Sequence, residues 1–288
     1  MWIEFIFYSA FLSQILLISY HYPKRILSRM DCIFERCPAD KYAKLYPNGY
    51  EKTLEGKILY KLLNTIILVM GLVVFVTFII ANQQGNIELK DMDFLPFAFG
   101  ILQALPFLIL EVSALKQLKL MRNLNDQSKR QAELSPRSIF NYVSPVRFFT
   151  AVVMFFVSTL VMFSFNDFKI SSDIAILFGS MIFCNGLFIG LGYLLLHGKK
   201  LDPHQSPEDR NKLTTTVFRS YTSVSILVSI FFIINRCVDF YSFDNWEPLF
   251  NSLYWQCVVL LSTGAMLKFT KLEEVNYDVY KTNTSSHT

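Results

Sequence analysis

A carboxylate inside an apolar stretch is the first residue of this sequence that could do chemistry. Glu111 ends the segment FGILQALPFLILE, about one helical turn before Lys116. Ionisable groups inside membrane segments are costly to bury and often mark ion or proton pathways. Arg147 begins another apolar stretch at a similar depth, which predicts an ion pair between the two side chains. The competing interpretation, which the residue types favour, is a structural pair or a Glu111 side chain that extends to the membrane surface.

Uncharged polar residues suggest a path through the same region. Gln103 and Pro106 lie in the middle of this stretch, and Asn185 lies near the centre of a later one. A proline frees a backbone carbonyl and bends a helix, and such breaks line cavities in transporters. Gln103, Glu111 and Asn185, with Arg147, therefore define a candidate intramembrane polar site. The competing and commoner role is hydrogen bonding between helices, worth about 0.6–2 kcal/mol per bond.

The other reactive residue types match no known kind of site. His21 and His197 end two apolar stretches at matched depth, but haem sites of that kind lie deeper in a bundle. His204 has acidic neighbours without the spacing of a metal site. The five cysteines give no disulfide framework, and no nucleotide-binding loop, nucleophile elbow or zinc-protease motif occurs. The sequence predicts no catalytic residue, no cofactor and no metal, and an enzyme is the least favoured class.

Long apolar stretches position all of these residues. The chain is 52% hydrophobic and 17% charged, whereas ordinary soluble domains carry about 25% charged residues. A membrane helix needs about 20 mostly apolar residues to cross about 30 Å of hydrocarbon. The sequence therefore predicts an all-α, polytopic transmembrane helical bundle of about seven helices. The predicted spans, of which the first and last are weakest, are roughly 2–20, 58–81, 94–115, 147–165, 174–196, 217–235 and 250–268.

Charge predicts how this bundle is oriented. All but three of the 27 Lys and Arg residues fall on one side of the seven predicted crossings, the exceptions being Lys90, Lys169 and Arg236. Basic loops stay in the cytoplasm, which predicts an outer N-terminus and an inner C-terminus. The predicted organisation is a bundle over 1–270 with basic cytoplasmic loops at 21–57, 116–147 and 197–219, then a cytoplasmic tail at 271–288 whose end is disordered.

The basic face also indicates partners. Its positive charge suits the lipid bilayer's anionic headgroups at the cytoplasmic surface. Acidic residues are interleaved with the bases and no nucleic-acid-binding motif occurs, so nucleic acid is not an expected partner. Within this face, KRILSRMDCIFERC at 24–37 has the spacing of an amphipathic helix that ends before Pro38. The third apolar stretch is predicted to continue as a helix through VSALKQLKLMRNL.

Two glycines indicate a close helix approach. Gly186 and Gly190 in GLFIG are four residues apart, a spacing that lets two membrane helices pack closely. Such a step serves either packing inside a bundle or contact with a second copy. We predict packing inside the bundle.

Three loop segments carry a resemblance. AELSPRSIFNYVSP at 132–145, preceded by LKQLKLMRN, resembles loops of uncharacterised bacterial multi-pass inner-membrane proteins. LDPHQSPEDR and LEEVNYDVYK are similar to segments of the same group. The resemblance spans most of the chain and implies a bacterial protein of the cytoplasmic (inner) membrane. That group has no assigned activity, so the resemblance implies no site residues.

Three function classes follow, in order of preference. The first is a non-catalytic membrane component that docks partners or senses state through its cytoplasmic loops, with 132–145 as the candidate docking segment. The second is a transporter or channel for a small solute or ion, with a polar path near Gln103, Glu111 and Asn185. A membrane-embedded enzyme comes last.

Overall fold

The computed structural model describes residues 2–124, 138–198 and 202–281, which contain seven long helices and no strand. The all-α bundle predicted from the sequence is therefore confirmed. The seventh helix, α7, begins as Glu247–Val259, passes through a π-helical turn at Leu260–Gly264 and ends as Ala265–Phe269. The others are α1 (Trp2–Arg36), α2 (Tyr50–Gln83), α3 (Leu89–Asn123), α4 (Pro145–Ser164), α5 (Ser172–His197) and α6 (Pro207–Tyr241).

Helices α1 to α6 are each long and apolar enough to cross a membrane. Their outward faces carry exposed large apolar side chains, such as Ile66, Val69 and Val73 along α2. Soluble monomers rarely expose a contiguous apolar patch of more than about 300–600 Å². Lipid contact accounts for these faces, and the protein is an integral membrane protein.

α7 is less apolar than these six helices, yet it runs the length of the bundle. At one end, Asn251 Nδ2 donates to the carbonyl of Asp93 (2.8 Å), near the start of α3. At the other end, the guanidinium of Arg29 donates to the carbonyls of Leu267 and Thr270. A helix of this length spans about 34 Å, at about 1.5 Å per residue. α7 therefore lies alongside α1 between the same two ends.

Two buried apolar clusters organise the bundle into two groups of helices. The first cluster joins α1, α2 and α3 through Phe7, Phe11, Ile15, Ile67, Phe78 and Phe99. The second joins α4, α5 and α6 through Met162, Ile174, Met181, Val224, Val228 and Phe232. α7 contacts α1 and α3 on one side and α6 on the other. It therefore closes the seam between the two groups.

The close helix approaches use other glycines than the two predicted. A Cβ added at Gly186 or Gly190 would meet nothing within 4 Å. These two glycines do not pack inside the bundle, contrary to the prediction. At Gly100 the indole of Trp255 lies directly against the backbone. The spacing of small residues misled here because it does not specify which face of a helix meets a neighbouring helix.

One end of the bundle carries a polar layer built from helix extensions. The predicted amphipathic helix near 24–37 is present as Tyr22–Arg36, which continues α1 after a π-helical turn at Leu17–His21. α3 extends to Asn123, as predicted. α6 starts at Pro207, well before its apolar part, and the Ser206 hydroxyl accepts from the Asp209 N–H at its first turn. This polar layer, at the end where the basic segments meet, is called the basic end below.

Candidate functional site

Gln103 is buried on α3 and makes hydrogen bonds to side chains and backbone of α1. Its Nε2 donates to Ser19 Oγ (2.9 Å) and to the Gln14 carbonyl (3.3 Å). Its Oε1 accepts from Gln14 Nε2 (3.1 Å). Every polar atom of this amide therefore has a partner, as expected of a side chain that joins two membrane helices.

Asn185 makes an equivalent contact in the other helix group. Its Nδ2 donates to the Met181 carbonyl (2.9 Å), and its Oδ1 accepts from Ser225 Oγ (2.5 Å), which joins α5 to α6. Within the residues described, no hydrogen bond connects Asn185 with Gln103. Both amides thus act as interhelical contacts, and a continuous polar path remains a prediction.

The structure places Glu111 and Arg147 apart. Glu111 lies on α3 near Tyr221 of α6, close enough for the carboxylate and the phenol to interact electrostatically. In the described part of the chain no ion pair joins it to Arg147. Arg147 lies in the first turn of α4, which Ser144 caps by accepting from the Arg147 N–H (3.4 Å). The arginine lines a cavity instead.

This cavity, of about 530 Å³, opens at the basic end between α1, α4, α6 and α7. One cation from each of these helices lines it, and no Asp or Glu does. None of the four forms an ion pair with a carboxylate of residues 2–124, 138–198 or 202–281. Like charges gathered around a concave surface raise its potential and attract anions. The four cations are Arg25, Arg147, Arg219 and Lys268.

Two π-helical turns shape the cavity. One covers Leu17–His21 and leads into Tyr22; the other covers Leu260–Gly264. A π-turn rotates the side chains that follow it about the helix axis, and such turns are frequent at functional sites. A Cβ added at Gly264 would lie 2.7 Å from Tyr22 Oη, so the end of the tyrosine side chain packs directly against the Gly264 backbone. The basic side chains that follow each turn reach the same cavity as a result.

Hydroxyl groups on one face of α6 complete the wall. Thr216, Ser220 and Ser223 line the cavity about one turn apart. Thr216 Oγ1 donates to the Lys212 carbonyl of its own helix (2.9 Å). Ser220 is only 6% exposed, and its Oγ has no hydrogen-bond partner among the described residues. A buried hydroxyl without a partner costs about 1–3 kcal/mol. Ser220 therefore has an unused donor and acceptor beside the cations.

The C-terminal segment 271–281 lies across the basic end, next to this cavity. The Lys212 and Lys271 ammonium groups donate to Glu274 and hold the pKa of that carboxyl below its ordinary value, so it is ionised at neutral pH. Burial and the neighbouring Asp202 raise the pKa of the Tyr280 phenol, which stays protonated and donates. The side-chain contacts to other segments are Arg36 to Glu273 (3.4 Å), Lys212 to Glu274 (3.1 Å), the Asn276 N–H to Asp209 (3.1 Å) and Tyr280 to Asp202 (2.5 Å). These contacts are named the tail latch.

The residues that the structure describes include no group of three or more His, Cys, Asp or Glu side chains able to hold a metal ion. Comparison with known proteins gives no family. No family model, no curated protein and no solved structure matches the chain.

Sequence reasoning identified Arg147 but missed the other three cations as members of one site. Arg25, Arg219 and Lys268 are separated widely along the chain, and each looks like an ordinary basic residue near a predicted inner helix end. Their shared depth was a usable signal. Their convergence was not predictable, because it depends on the rotation of four helices about their axes.

Proposed function

We propose that this protein is a non-catalytic component of a bacterial cytoplasmic membrane that docks partners or senses state through its cytoplasmic layer. The tail latch carries this proposal. It ties the tail to α1, to α6 and to the segment before α6, so that separate loops share one surface. A preorganised surface binds with less loss of conformational entropy than a set of mobile loops.

Charge supports the orientation that this proposal requires. Under the positive-inside rule the basic end faces the cytoplasm, with the N-terminus outside and the C-terminus inside. The resemblance of segment 132–145 to loops of bacterial inner-membrane proteins supports the location. Residues 132–137 of that segment lie outside the described residues. The remainder forms a short 3-10 turn at Ile139–Asn141 and the start of α4.

The cavity gives the layer an element that can respond to a ligand. Arg25 lines the cavity, and Arg29, one turn further along α1, donates to the end of α7. Arg36, two turns further again, contacts the tail. A ligand that draws Arg25 inward would shift the same helix segment that holds α7 and the tail. Occupancy of the cavity would thereby bias the docking surface.

Weakening the tail latch should remove a bound partner without affecting insertion. We expect the double variant Glu274→Gln/Tyr280→Phe to release the tail. The contact with Lys212 loses the carboxylate charge, and the contact with Asp202 loses its hydroxyl donor. Cross-linking in native membranes followed by mass spectrometry should recover a stoichiometric partner linked to residues of the basic end. The variant should reduce that recovery at least about fivefold, the effect of about 1 kcal/mol in binding.

The matched control is Glu88→Gln, which breaks the exposed ion pair with Lys90 at the opposite end of the bundle. It should leave partner recovery unchanged. Equal recovery from the latch variant and from wild type, or no stoichiometric partner in wild type, would rule out docking through this layer.

A transporter or channel is the second candidate, favoured by the open cavity at one end of the bundle and by the carboxylate of Glu111 on α3. If Glu111 carries an ion or proton, Glu111→Gln should abolish flux into proteoliposomes, measured as a change of internal pH, while expression is unchanged. Glu55→Gln, an exposed site on α2, is the control. Reduced thermal stability with undiminished flux would assign Glu111 a structural role.

A further inference from the structure

We infer that the cavity between α1, α4, α6 and α7 binds a phosphate-bearing anion, either the headgroup of an anionic glycerophospholipid or a soluble phosphomonoester. The inference rests on the proposed function, because it names the ligand class that a state-sensing component would read. It concerns the cavity alone and requires no partner protein.

The charge balance of the cavity is the first argument. Arg25, Arg147, Arg219 and Lys268 line it without a carboxylate partner in the part of the chain that the structure describes. Some cations of the basic end outside the cavity do have such partners, for example Arg36 with Glu273, Lys57 with Asp31 and Lys212 with Glu274. Cations that share one concavity repel one another, and a bound anion removes that repulsion.

The kinds of donor favour phosphate. A guanidinium group presents a planar fork of N–H donors that matches phosphate oxygens, and an ammonium group adds a point charge. The four cations come from four different helices that line the cavity. A tetrahedral phosphate offers acceptor oxygens in several directions, whereas a planar carboxylate offers two in one plane. Donors carried by four separate helices therefore fit phosphate better than a planar carboxylate.

Ser220 gives an independent observation that points to a ligand. Its side chain is more than nine-tenths buried in the cavity wall, and its hydroxyl has no partner among the residues described. Nearby Thr216 satisfies its hydroxyl within α6. Buried polar groups normally have a hydrogen-bond partner, and an exception needs an explanation. A phosphate oxygen held by the cations would accept from Ser220 Oγ.

The apolar part of the wall favours a lipid as the source of the phosphate. Leu260, Leu261 and Phe269 of α7 line the same cavity, and Leu260 and Phe269 are also exposed on the outer face of the bundle. A headgroup at the cations could thus continue into an acyl chain along α7. Tyr22 and Arg25 follow the apolar part of α1, so the cavity lies at the depth of headgroups.

The test measures phospholipid retention by the purified full-length protein. The wild-type protein is reconstituted in nanodiscs of mixed phosphatidylglycerol and phosphatidylcholine and then released from them for native mass spectrometry. It should keep bound phosphatidylglycerol. Each basic residue near an anionic surface contributes about fivefold in affinity, so Arg219→Gln/Lys268→Gln should weaken retention about 25-fold. The control Lys116→Gln/Lys119→Gln removes two cations of the inner α3 extension that do not line the cavity, and should retain the lipid as wild type does.

Ser220→Ala separates binding from folding. In lipid-free detergent it should leave the melting temperature unchanged or raise it, because it removes a buried hydroxyl without a partner. It should nevertheless weaken phosphatidylglycerol retention by about fivefold, the loss of one ordinary hydrogen bond. If Ser220 had only a structural role, Ser220→Ala would not keep or raise the melting temperature and at the same time weaken phosphatidylglycerol retention.

A second experiment identifies whether the bound phosphate belongs to a lipid or to a soluble compound. Glycerol 1-phosphate and inorganic phosphate are titrated into detergent-purified protein, and binding with the same dependence on the variants would support the site with a soluble ligand. Equal phosphatidylglycerol retention by wild type and by Arg219→Gln/Lys268→Gln, or no preference over phosphatidylcholine together with no soluble phosphate binding, would overturn the inference. Neither the lipid-retention result nor the phosphate-binding result depends on the tail latch or on a partner protein. The docking proposal is therefore tested independently of the phosphate site.

Discussion

Gly100→Ala should lower the free energy of unfolding by about 1–3 kcal/mol, the typical cost of overpacking a close contact. A Cβ at this position would overlap the indole of Trp255. The ring atoms it meets are Cγ, Cδ1 and Cδ2, which lie next to the Trp255 Cβ. The indole therefore cannot avoid the methyl group by moving only its far end, and α3 and α7 must separate. Because α7 closes the seam between the two helix groups, this change disturbs both.

Thermal unfolding in detergent, followed by helix content, measures this effect. Gly186→Ala is the matched control, because the same substitution there meets nothing within 4 Å. Alanine favours helix over glycine by about 1 kcal/mol, so the control should be neutral or stabilising. A Gly100→Ala variant as stable as Gly186→Ala would contradict the α3–α7 contact. Destabilisation by Gly186→Ala would restore the predicted packing role of the GLFIG step.

Arg29→Gln should destabilise the basic end by about 1.5–3 kcal/mol, the range for hydrogen bonds made by a charged group. The Arg29 guanidinium donates to the carbonyls of Leu267 and Thr270, which have no partner within α7 because they lie at its C-terminal end. A positive charge is also favourable at the C-terminus of a helix. Glutamine is too short to reach both carbonyls. The end of α7 should fray, and the tail that follows should detach more readily.

Two measurements test this expectation: the rate of protease cleavage within 270–281, and the thermal unfolding midpoint. Arg36→Gln is the control, because it removes an exposed ion pair with Glu273 whose side chains are 45% and 67% exposed. Exposed pairs contribute about 0–1 kcal/mol, so the control should have little effect on the midpoint. If Arg36→Gln proved as damaging as Arg29→Gln, Arg29 would not be what secures α7.

Gln103 and Asn185 show what can be read from residue type and what cannot. Their position inside apolar stretches correctly indicated buried polar side chains, and the interhelical alternative agrees with the observed bonds. The partners, Gln14 and Ser225, were not predictable, since nothing in a local pattern specifies which helix lies opposite. Glu111 lies on α3 near Tyr221, whereas its proposed partner Arg147 lines the cavity.

Helix number, helix class and the clustering of charge were already determined by the sequence. An apolar stretch of about 20 residues has one stable solution in hydrocarbon, a helix that satisfies its own backbone, and this holds whatever its neighbours are. Basic residues likewise gather at one end because loops rich in Lys and Arg stay on one side of the membrane. Both effects act on one segment at a time and are therefore visible in a linear pattern.

Only the tertiary structure decided which faces meet. Gly100 packs against a neighbouring helix while Gly186 does not, and four cations from distant parts of the sequence line one cavity. Both results depend on the rotation of each helix about its axis. The π-turns in α1 and α7 change that rotation partway along the helix. That rotation is selected by steric fit between helices, such as Trp255 against Gly100 and Tyr22 against Gly264. Such fits involve residues more than 150 positions apart, so they are a property of the packed bundle.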